Sequence, residues 1–403
     1  MNLLIKRMQT LILLKFEIMK SLEKNHRKDI DGLRAVAVIS VIIFHLGFLP
    51  FGYLGVDVFF VISGYLITKI IYTETVSDSF SIVEFYLRRI RRIIPLVLFV
   101  IIIALCIGIP VMLPDDLENL SQSIIATNFM ANNILLLITT GNYWDAVNEF
   151  KPLMHTWSLG VEEQFYFIVP LIFLILRKER IKWALWILSF LALLSFLLYI
   201  LPFGKEASKF YLIQYRFFEI AFGGILAIIF QDRLIKFPAR FIILFLLLLL
   251  LGINVNIQAQ WTLILVVFLT GILLITKRSK FEGILLENKY VQFIGKISFS
   301  LYMWHQIVLG FGRYFVFSTV KTFSSLFSII LVTFLLSVFT FYFIERPFRD
   351  KKKVGTKKLL LTVVLATIFT SGISFYLYSI KGVIRDVTEL NLFKSEVILV
   401  IYI

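Results

Sequence analysis

Long apolar runs are the feature that most restricts what this chain can fold into. The runs 241–252, 261–276 and 359–373 are nearly free of charge, and with their flanks they are long enough to cross the hydrocarbon of a bilayer. Backbone polar groups in lipid must be paired internally, which favours helices in segments of this kind. The sequence therefore predicts an all-α fold, a polytopic transmembrane helical bundle.

The composition favours a bilayer over a nucleic acid as the partner. The chain has 403 residues, 59% of them hydrophobic, and a net charge of +15. A basic balance can indicate nucleic-acid binding, but Lys and Arg also collect in the cytoplasmic loops of membrane proteins. The single cysteine, Cys106, excludes a disulfide framework or a thiolate metal cluster within the chain.

Alternation of apolar runs and basic loops predicts the path through the membrane. With the basic stretch 24–28 in the cytoplasm, the positive-inside rule gives ten crossings followed by an additional, C-terminal eleventh crossing. They are predicted at 33–49, 56–72, 93–113, 159–176, 182–201, 210–230, 241–252, 261–276, 297–317, 326–344 and 359–377. The apolar segment 123–139 cannot cross once, because its neighbours both meet the outer face. It is predicted to be re-entrant or interfacial.

Four regions follow from this path. They are a cytoplasmic N-terminal segment (1–28), a transmembrane domain (29–353), an additional transmembrane helix (354–379) and a short extracytoplasmic stub (380–403). Residues 1–18 are predicted to be an interfacial helix or to precede the true start at Met19. The uncharged, β-prone run 397–403 is typical of a cut or frameshifted chain.

Ionisable groups inside a membrane are costly, so each is a functional hypothesis. Arg34 and His45 are eleven residues apart, which is about three helical turns and about 16 Å along one face. A guanidinium near the cytoplasm suits a phosphate-bearing donor, and an imidazole above it suits proton transfer. The alternative is that His45 only forms a hydrogen bond to a neighbouring helix.

The next candidates enter the membrane together. Glu162 and Glu163 are predicted about two turns below His155, pointing about 100° apart. At least one of them needs a cation or a proton, because two charged carboxylates in lipid would be very costly. The alternative is a structural ion pair.

Other crossings carry further polar groups. Arg216 and Glu219 have the i, i+3 spacing of an ion pair within one helix, and a structural role is favoured. Tyr302 and His305 are expected near mid-membrane. Glu345 and Arg346, at the cytoplasmic boundary, are assigned to structure or topology.

Several of these groups are predicted to share one polar cavity. His45, Glu162 and Glu219 fall at similar depths on different helices, and Arg34 connects them to the cytoplasm. A cluster of arginines beside Arg34 is either a topology signal or a set of phosphate ligands: Arg88, Arg89, Arg91 and Arg92. The four histidines lack i, i+4 metal spacing, and no metal is predicted.

The order and spacing of six motifs over residues 28–380 resemble the membrane acyltransferase-3 family of bacterial O-acyltransferases. The motifs are Asp31-Gly32-Leu33-Arg34 with His45, the segments 55–64, 85–95 and 155–166 (which includes His155, Trp157 and Ser158), Tyr302-Met303-Trp304-His305, and Glu345-Arg346-Pro347. The resemblance implies acyl-CoA, usually acetyl-CoA, as a donor co-substrate with no permanently bound cofactor. It implies an envelope carbohydrate as acceptor, such as O-antigen, peptidoglycan or exopolysaccharide.

The resemblance also implies residue roles and a location. Arg34 and His45 would be essential, and the pair Arg89 and Arg92 would matter for donor use. The protein would be a multi-pass protein of the bacterial inner membrane with a cytoplasmic N-terminus. Many relatives with an eleventh helix continue into an extracytoplasmic SGNH domain, which this chain lacks. Either a separate SGNH-type transferase or esterase completes the transfer, or the chain is incomplete.

The predicted mechanism places the donor head group on Arg34 and the arginine cluster. His45 acts as general base or carries the acyl group, and Glu162 or Glu163 holds its tautomer. A second set is assigned to substrate contact or to the structure of the polar cavity: His155, Trp157, Ser158, Arg216, Glu219, Tyr302 and His305. The rival functions are a transporter or flippase of a lipid-linked sugar, although no paired halves are evident, and an inactive scaffold.

Overall fold

The structure, a computed structural model, describes residues 27–140, 150–202, 204–231, 233–237, 240–253, 257–277, 280–315 and 322–384. The predictions for residues 1–18 and 397–403 lie outside these ranges. Helices dominate the described residues. The two short strands among them, Ile235–Lys236 (β1) and Thr276–Lys277 (β2), pair in parallel and join two connections on one side of the bundle.

The helices follow one another with short connections. In chain order they are α1 (Lys28–His45), α2 (Gly55–Val76), α3 (Ile82–Val111), α4 (Pro114–Asn128), α5 (Asn132–Thr139), α6 (Thr156–Leu176), α7 (Lys182–Ile200), α8 (Glu206–Tyr211), α9 (Ile213–Phe230), α10 (Arg240–Gly252), α11 (Ala259–Ile275), α12 (Lys280–Leu286), α13 (Lys289–Lys296), α14 (Ser298–Phe315), α15 (Phe323–Thr340), α16 (Arg346–Arg349) and α17 (Thr356–Ser379). A 3₁₀ turn, Gly52–Leu54, precedes α2, and a π-helical turn, Phe341–Glu345, links α15 to α16.

Seven segments of the described chain are long and apolar enough to cross a membrane. They are Gly52–Val76, Ile82–Val111, Thr156–Leu176, Lys182–Ile200, Glu206–Phe230, Phe323–Arg349 and Thr356–Ser379. The helices α10 and α11 are shorter and apolar, and α1 and α14 occupy the positions of two further predicted crossings. The all-α, polytopic helical fold is thus confirmed.

The helix α3 begins eleven residues before the predicted crossing at 93. Ser81 caps it by accepting a hydrogen bond from the Glu84 backbone N–H at 3.4 Å, the geometry of a Ser-x-x-Glu helix start. The arginine cluster therefore lies on the first turns of a helix. Neighbouring arginines on a helix point in different directions, so the four cannot all face one space.

The segment predicted not to cross forms two short helices, α4 and α5. With 15 and 8 residues they are shorter than the roughly 20 residues that a crossing needs. Met130 between them has a positive φ of 54°, which breaks the helix. The side chain of Asn128, at the end of α4, donates to Thr370 Oγ1 at 3.0 Å and to Ser371 Oγ at 2.8 Å, which ties α4 to α17.

Among the seven long segments, the one that contains α2 is the most enclosed. In the most apolar stretch of Gly52–Val76, 72% of the residues are buried, whereas in the corresponding stretches of α7 and α17 only 17% are buried. Glycines let α2 and α9 approach closely: a Cβ on Gly64 would lie 1.8 Å from the Ile220 carbonyl oxygen, and one on Gly223 would lie 2.0 Å from the Val61 carbonyl oxygen. Small residues at helix contacts are typical of membrane bundles. The site described next is built around α2.

Candidate active site

A cavity of about 290 Å³, called here the inner cavity, lies between α1, α2, α3, α6 and α14. Its polar lining includes Arg34, Arg89, Arg92 and Glu162, and most of its remaining wall is aliphatic or aromatic. Arg34 interacts electrostatically with Arg92 and Arg349 and with the carboxylates of Asp31 and Glu345. The inner cavity therefore combines a cationic end with an apolar body.

Glu162 is the carboxylate of the inner cavity. Its Oε1 accepts a hydrogen bond from Ser63 Oγ at 2.7 Å, and its Oε2 accepts one from Tyr166 at 3.4 Å. Glu163 is not among the lining residues, and its buried Oε1 has no hydrogen-bond partner within the described ranges. The two adjacent carboxylates therefore have different surroundings, as their helical spacing predicts.

The four clustered arginines make different contacts. Arg88 donates to both oxygens of Glu74 at 2.9 Å. Arg91 is buried and donates to the carbonyls of Val354 at 2.6 Å and Phe348 at 3.2 Å, so it holds the connection between α16 and α17. Arg89 and Arg92 line the inner cavity.

A second, open cavity of about 240 Å³ is called here the basic pocket. It is lined by Arg88, Arg91, Arg92 and Arg349, so Arg92 borders both spaces. Arg349 was not singled out from the sequence. It forms an ion pair with Glu345, which also accepts a hydrogen bond from Ser300 Oγ at 2.7 Å. These contacts with Arg349 and Ser300 agree with the structural role expected for Glu345.

A smaller space, called here the outer chamber, is lined by His45, His155, Asp57, Arg216 and Tyr302, among others. Its free volume is about 10 Å³, close to the minimum for one water molecule. His45 borders the outer chamber, whereas Arg34, on the same helix, borders the inner cavity. The predicted pair therefore serves two different compartments.

The rings of His155 and His305 lie beside Tyr302, and the ring of His45 lies beside His305. The ring centroid of His305 is 5.3 Å from that of His45 and 5.4 Å from that of His155. Neither ring nitrogen of His155, nor Nε2 of His305, has a hydrogen bond of normal geometry to a described residue. Among the residues that the structure covers, no group of three His, Cys, Asp or Glu side chains could hold a metal ion. These nitrogens are placed to exchange protons or to contact a substrate.

A buried charge cluster forms one wall of the outer chamber. Arg216 Nη1 donates to Asp57 at 2.9 Å and to Glu219 at 2.8 Å. The guanidinium also lies 5.1 Å from the ring of Phe210 and 5.8 Å from that of Trp157. The predicted i, i+3 pair is present, but Asp57 was missed. The signal for it was available, since Asp57 is an ionisable residue inside an apolar helix.

His45 and the two glutamates are not brought together. No contact between His45 and Glu162 or Glu163 is found among the described contacts, and the neighbouring rings of His45 are those of Phe44 and His305. Ser158 and Tyr302 lie between the two levels, with their hydroxyl oxygens 2.7 Å apart. The predicted single cavity is therefore divided into an inner and an outer part.

The fold and these two compartments define an integral membrane protein with a divided polar site that is open to a basic surface. The family described as acyltransferase domain matches residues 27–342, and the chain belongs to this family. It is 32% identical over 362 residues to the O-acetyltransferase OatA of Staphylococcus aureus strain NCTC 8325. The aligned region covers 82% of this chain and 59% of OatA.

A protein of Staphylococcus aureus strain COL with a provisional O-acetyltransferase name is also 32% identical, over 360 residues, or 82% of this chain and 58% of that protein. The chain thus spans less than two thirds of the length of these relatives. No solved structure matches the chain.

Proposed function

We propose that this protein is an O-acyltransferase that moves an acyl group, in the first place acetyl, from acyl-CoA in the cytoplasm to a hydroxyl of a cell-envelope carbohydrate. The observation that carries the proposal is the inner cavity, which has arginines at one end and the chamber of His45 beyond the other, in a chain of the acyltransferase family. The names of the relatives support O-acetyl transfer.

The donor is proposed to enter from the basic pocket. Coenzyme A carries a diphosphate and a further phosphate, and guanidinium groups bind phosphate by paired hydrogen bonds. Arg92 borders both the basic pocket and the inner cavity, so a donor bound through Arg92 can extend its thioester arm inward. The apolar walls of the inner cavity suit that uncharged arm.

Chemistry is proposed at His45. Either a ring nitrogen takes the proton of the acceptor hydroxyl while that oxygen attacks the thioester carbonyl, or the nitrogen first accepts the acyl group itself. In the second route the acceptor oxygen then attacks the acyl-imidazole, the carbon–nitrogen bond breaks, and the hydroxyl proton is released. In both routes the carbon–sulfur bond breaks and coenzyme A leaves as the thiol after protonation. We propose that His305, whose ring lies beside that of His45, orients the imidazole, a role that the sequence suggests for Glu162 or Glu163.

The finer assignments are part of the same proposal. They are a bacterial cell membrane with a cytoplasmic N-terminus, an acceptor such as O-antigen, peptidoglycan or exopolysaccharide, and a separate SGNH-type protein that completes the transfer. The basic pocket supports the orientation, because its arginines would face the cytoplasm under the positive-inside rule.

The test uses purified protein in detergent or vesicles with labelled acetyl-CoA, and measures release of free coenzyme A and labelled acceptor. We expect His45→Ala to lower the rate by about 10²–10⁴-fold, the usual contribution of a general base. We expect Arg34→Ala to raise KM for the donor. Lys351→Ala, at an exposed residue, is the control and should behave as wild type. Undiminished transfer in both site variants would exclude the mechanism, and sugar flux without thioester cleavage would indicate a transporter.

A further inference from the structure

Two side chains, Val56 and Tyr302, line both the inner cavity and the outer chamber. No other described residue is common to the linings of these two spaces. Residues that border two adjacent cavities form the wall between them. Val56 and Tyr302 are therefore the partition between the level of Arg34 and Glu162 and the level of His45.

The partition is held in place from several sides. The Tyr302 hydroxyl donates to the His155 carbonyl at 3.0 Å, and its oxygen lies 2.7 Å from Ser158 Oγ. Val56 is in the first turn of α2, directly after Gly55, where an added Cβ would lie 2.3 Å from the Ala37 carbonyl oxygen. The backbone of α2 is thus fixed against α1 at this point. A β-branched side chain in a helix has one strongly preferred rotamer, so Val56 cannot easily turn aside.

The two sides of the partition hold different parts of the reaction, if the proposed function is correct. The arginines that would bind the donor border the inner cavity, and the imidazole that would receive its acyl group borders the outer chamber. The acyl group must therefore pass between Val56 and Tyr302. The outer chamber has a free volume of only about 10 Å³, so every added methylene must displace a packed side chain.

We propose that Val56 and Tyr302 select the acyl group by size, admitting acetyl to His45 and rejecting longer chains. Tyr302 can move once its two hydroxyl contacts are broken, whereas Val56 sets the fixed edge of the opening. Packed pockets discriminate about 10–200-fold per methylene in favourable cases. The selection therefore acts on transfer to His45 and leaves donor binding in the inner cavity unaffected.

The experiment compares acetyl-, propionyl- and butyryl-CoA with the purified full chain, measuring kcat/KM for acyl transfer. Wild type should prefer acetyl to butyryl. Val56→Ala should raise the butyryl-to-acetyl ratio by about tenfold or more, the effect expected when one packed methylene no longer clashes. Val56→Leu should lower kcat for acetyl with KM for acetyl-CoA unchanged.

The matched control is Ile70→Ala. Ile70 is on the same helix and lines the inner cavity but not the outer chamber, so the acyl profile should keep the wild-type ratio. A changed ratio in Ile70→Ala with none in Val56→Ala would place size selection in the inner cavity and overturn the proposal. Equal use of acetyl and butyryl by wild type would also overturn it. Absence of any thioester cleavage by wild type would instead refute the proposed function.

Discussion

At the scale of single residues, the buried carboxylate of Asp57 is neutralised by a residue that lies far from it in the sequence. Asp57 and Arg216 are separated by 159 positions, so their contact cannot be recognised from the i, i+3 spacing of charges on one helix. The buried guanidinium has 4% exposure and serves two carboxylates at once. Its removal would leave Asp57 and Glu219 facing each other without a cation, which is the costly case for buried charge.

We expect Arg216→Met to lower the free energy of unfolding by about 3–5 kcal/mol, the usual result of removing one partner of a buried ion pair. Thermal unfolding of the purified protein in detergent checks this. Lys351→Met is the comparison, because the Lys351–Glu84 pair is 3.5 Å apart with both side chains exposed, and such pairs contribute at most about 1 kcal/mol. Equal unfolding temperatures for the two variants would contradict the assigned role of Arg216.

At this scale, a contact within one helix can be predicted from the sequence. The i, i+3 spacing predicts the Arg216–Glu219 ion pair, which is present, whereas the Arg34–His45 spacing does not reveal that the two residues border different spaces. The Asp57–Arg216 ion pair, the position of Arg349 and the Ser63–Glu162 hydrogen bond could not be predicted, because each depends on which helices become neighbours. Asp57 itself could have been noted as an ionisable residue inside an apolar helix. The split of the inner cavity from the outer chamber had no local signal at all, since Val56 and Tyr302 belong to separate helices.

At the scale of elements, the crossings were located more accurately than their ends. The predicted crossing 182–201 and the helix α7 differ by one residue. The start of α3 differed by eleven residues, because a capped, charged helix continues beyond the apolar window. Hydropathy detects the part of a helix that lies in lipid, whereas hydrogen bonding decides where the helix starts.

Close packing of α2 on α9 gives the prediction at this scale. We expect Gly64→Ala to destabilise the protein by about 1–3 kcal/mol, the usual cost of overpacking, because the new Cβ would lie 1.8 Å from the Ile220 carbonyl oxygen. Gly372→Ala on α17 is the control, since nothing lies within 4 Å of the added atom. Detergent-phase unfolding measures both. A Gly64→Ala protein as stable as the control variant would mean that α2 and α9 are further apart.

At the scale of the whole molecule, polar groups are concentrated inside and apolar side chains outside. The peripheral helices α7 and α17 expose large hydrophobic residues such as Trp186, Phe190, Ile368 and Phe369, as expected of surfaces that face lipid tails. The helices α1, α2, α3, α6 and α9 carry the charged groups that line the inner cavity and the outer chamber. Among the described residues, Arg92 borders both the inner cavity and the open basic pocket, so one route to the buried charges starts at the end of the molecule where Arg88, Arg91 and Arg349 lie.

The side of the membrane that the basic pocket faces can be tested with the loops between the helices. The connection between α6 and α7 carries Arg177, Lys178 and Arg180, which the positive-inside rule assigns to the cytoplasm. The start of α4 carries Asp115 and should lie on the opposite side.

In a Cys106→Ser background, single cysteines at the exposed positions Glu179→Cys and Asp115→Cys report the two faces. A membrane-impermeant maleimide applied to intact cells should label Asp115→Cys and leave Glu179→Cys unlabelled until the membrane is opened. The reverse pattern would place the basic pocket outside the cell, where acyl-CoA is absent, and would remove the donor from the proposed reaction while leaving the fold unchanged.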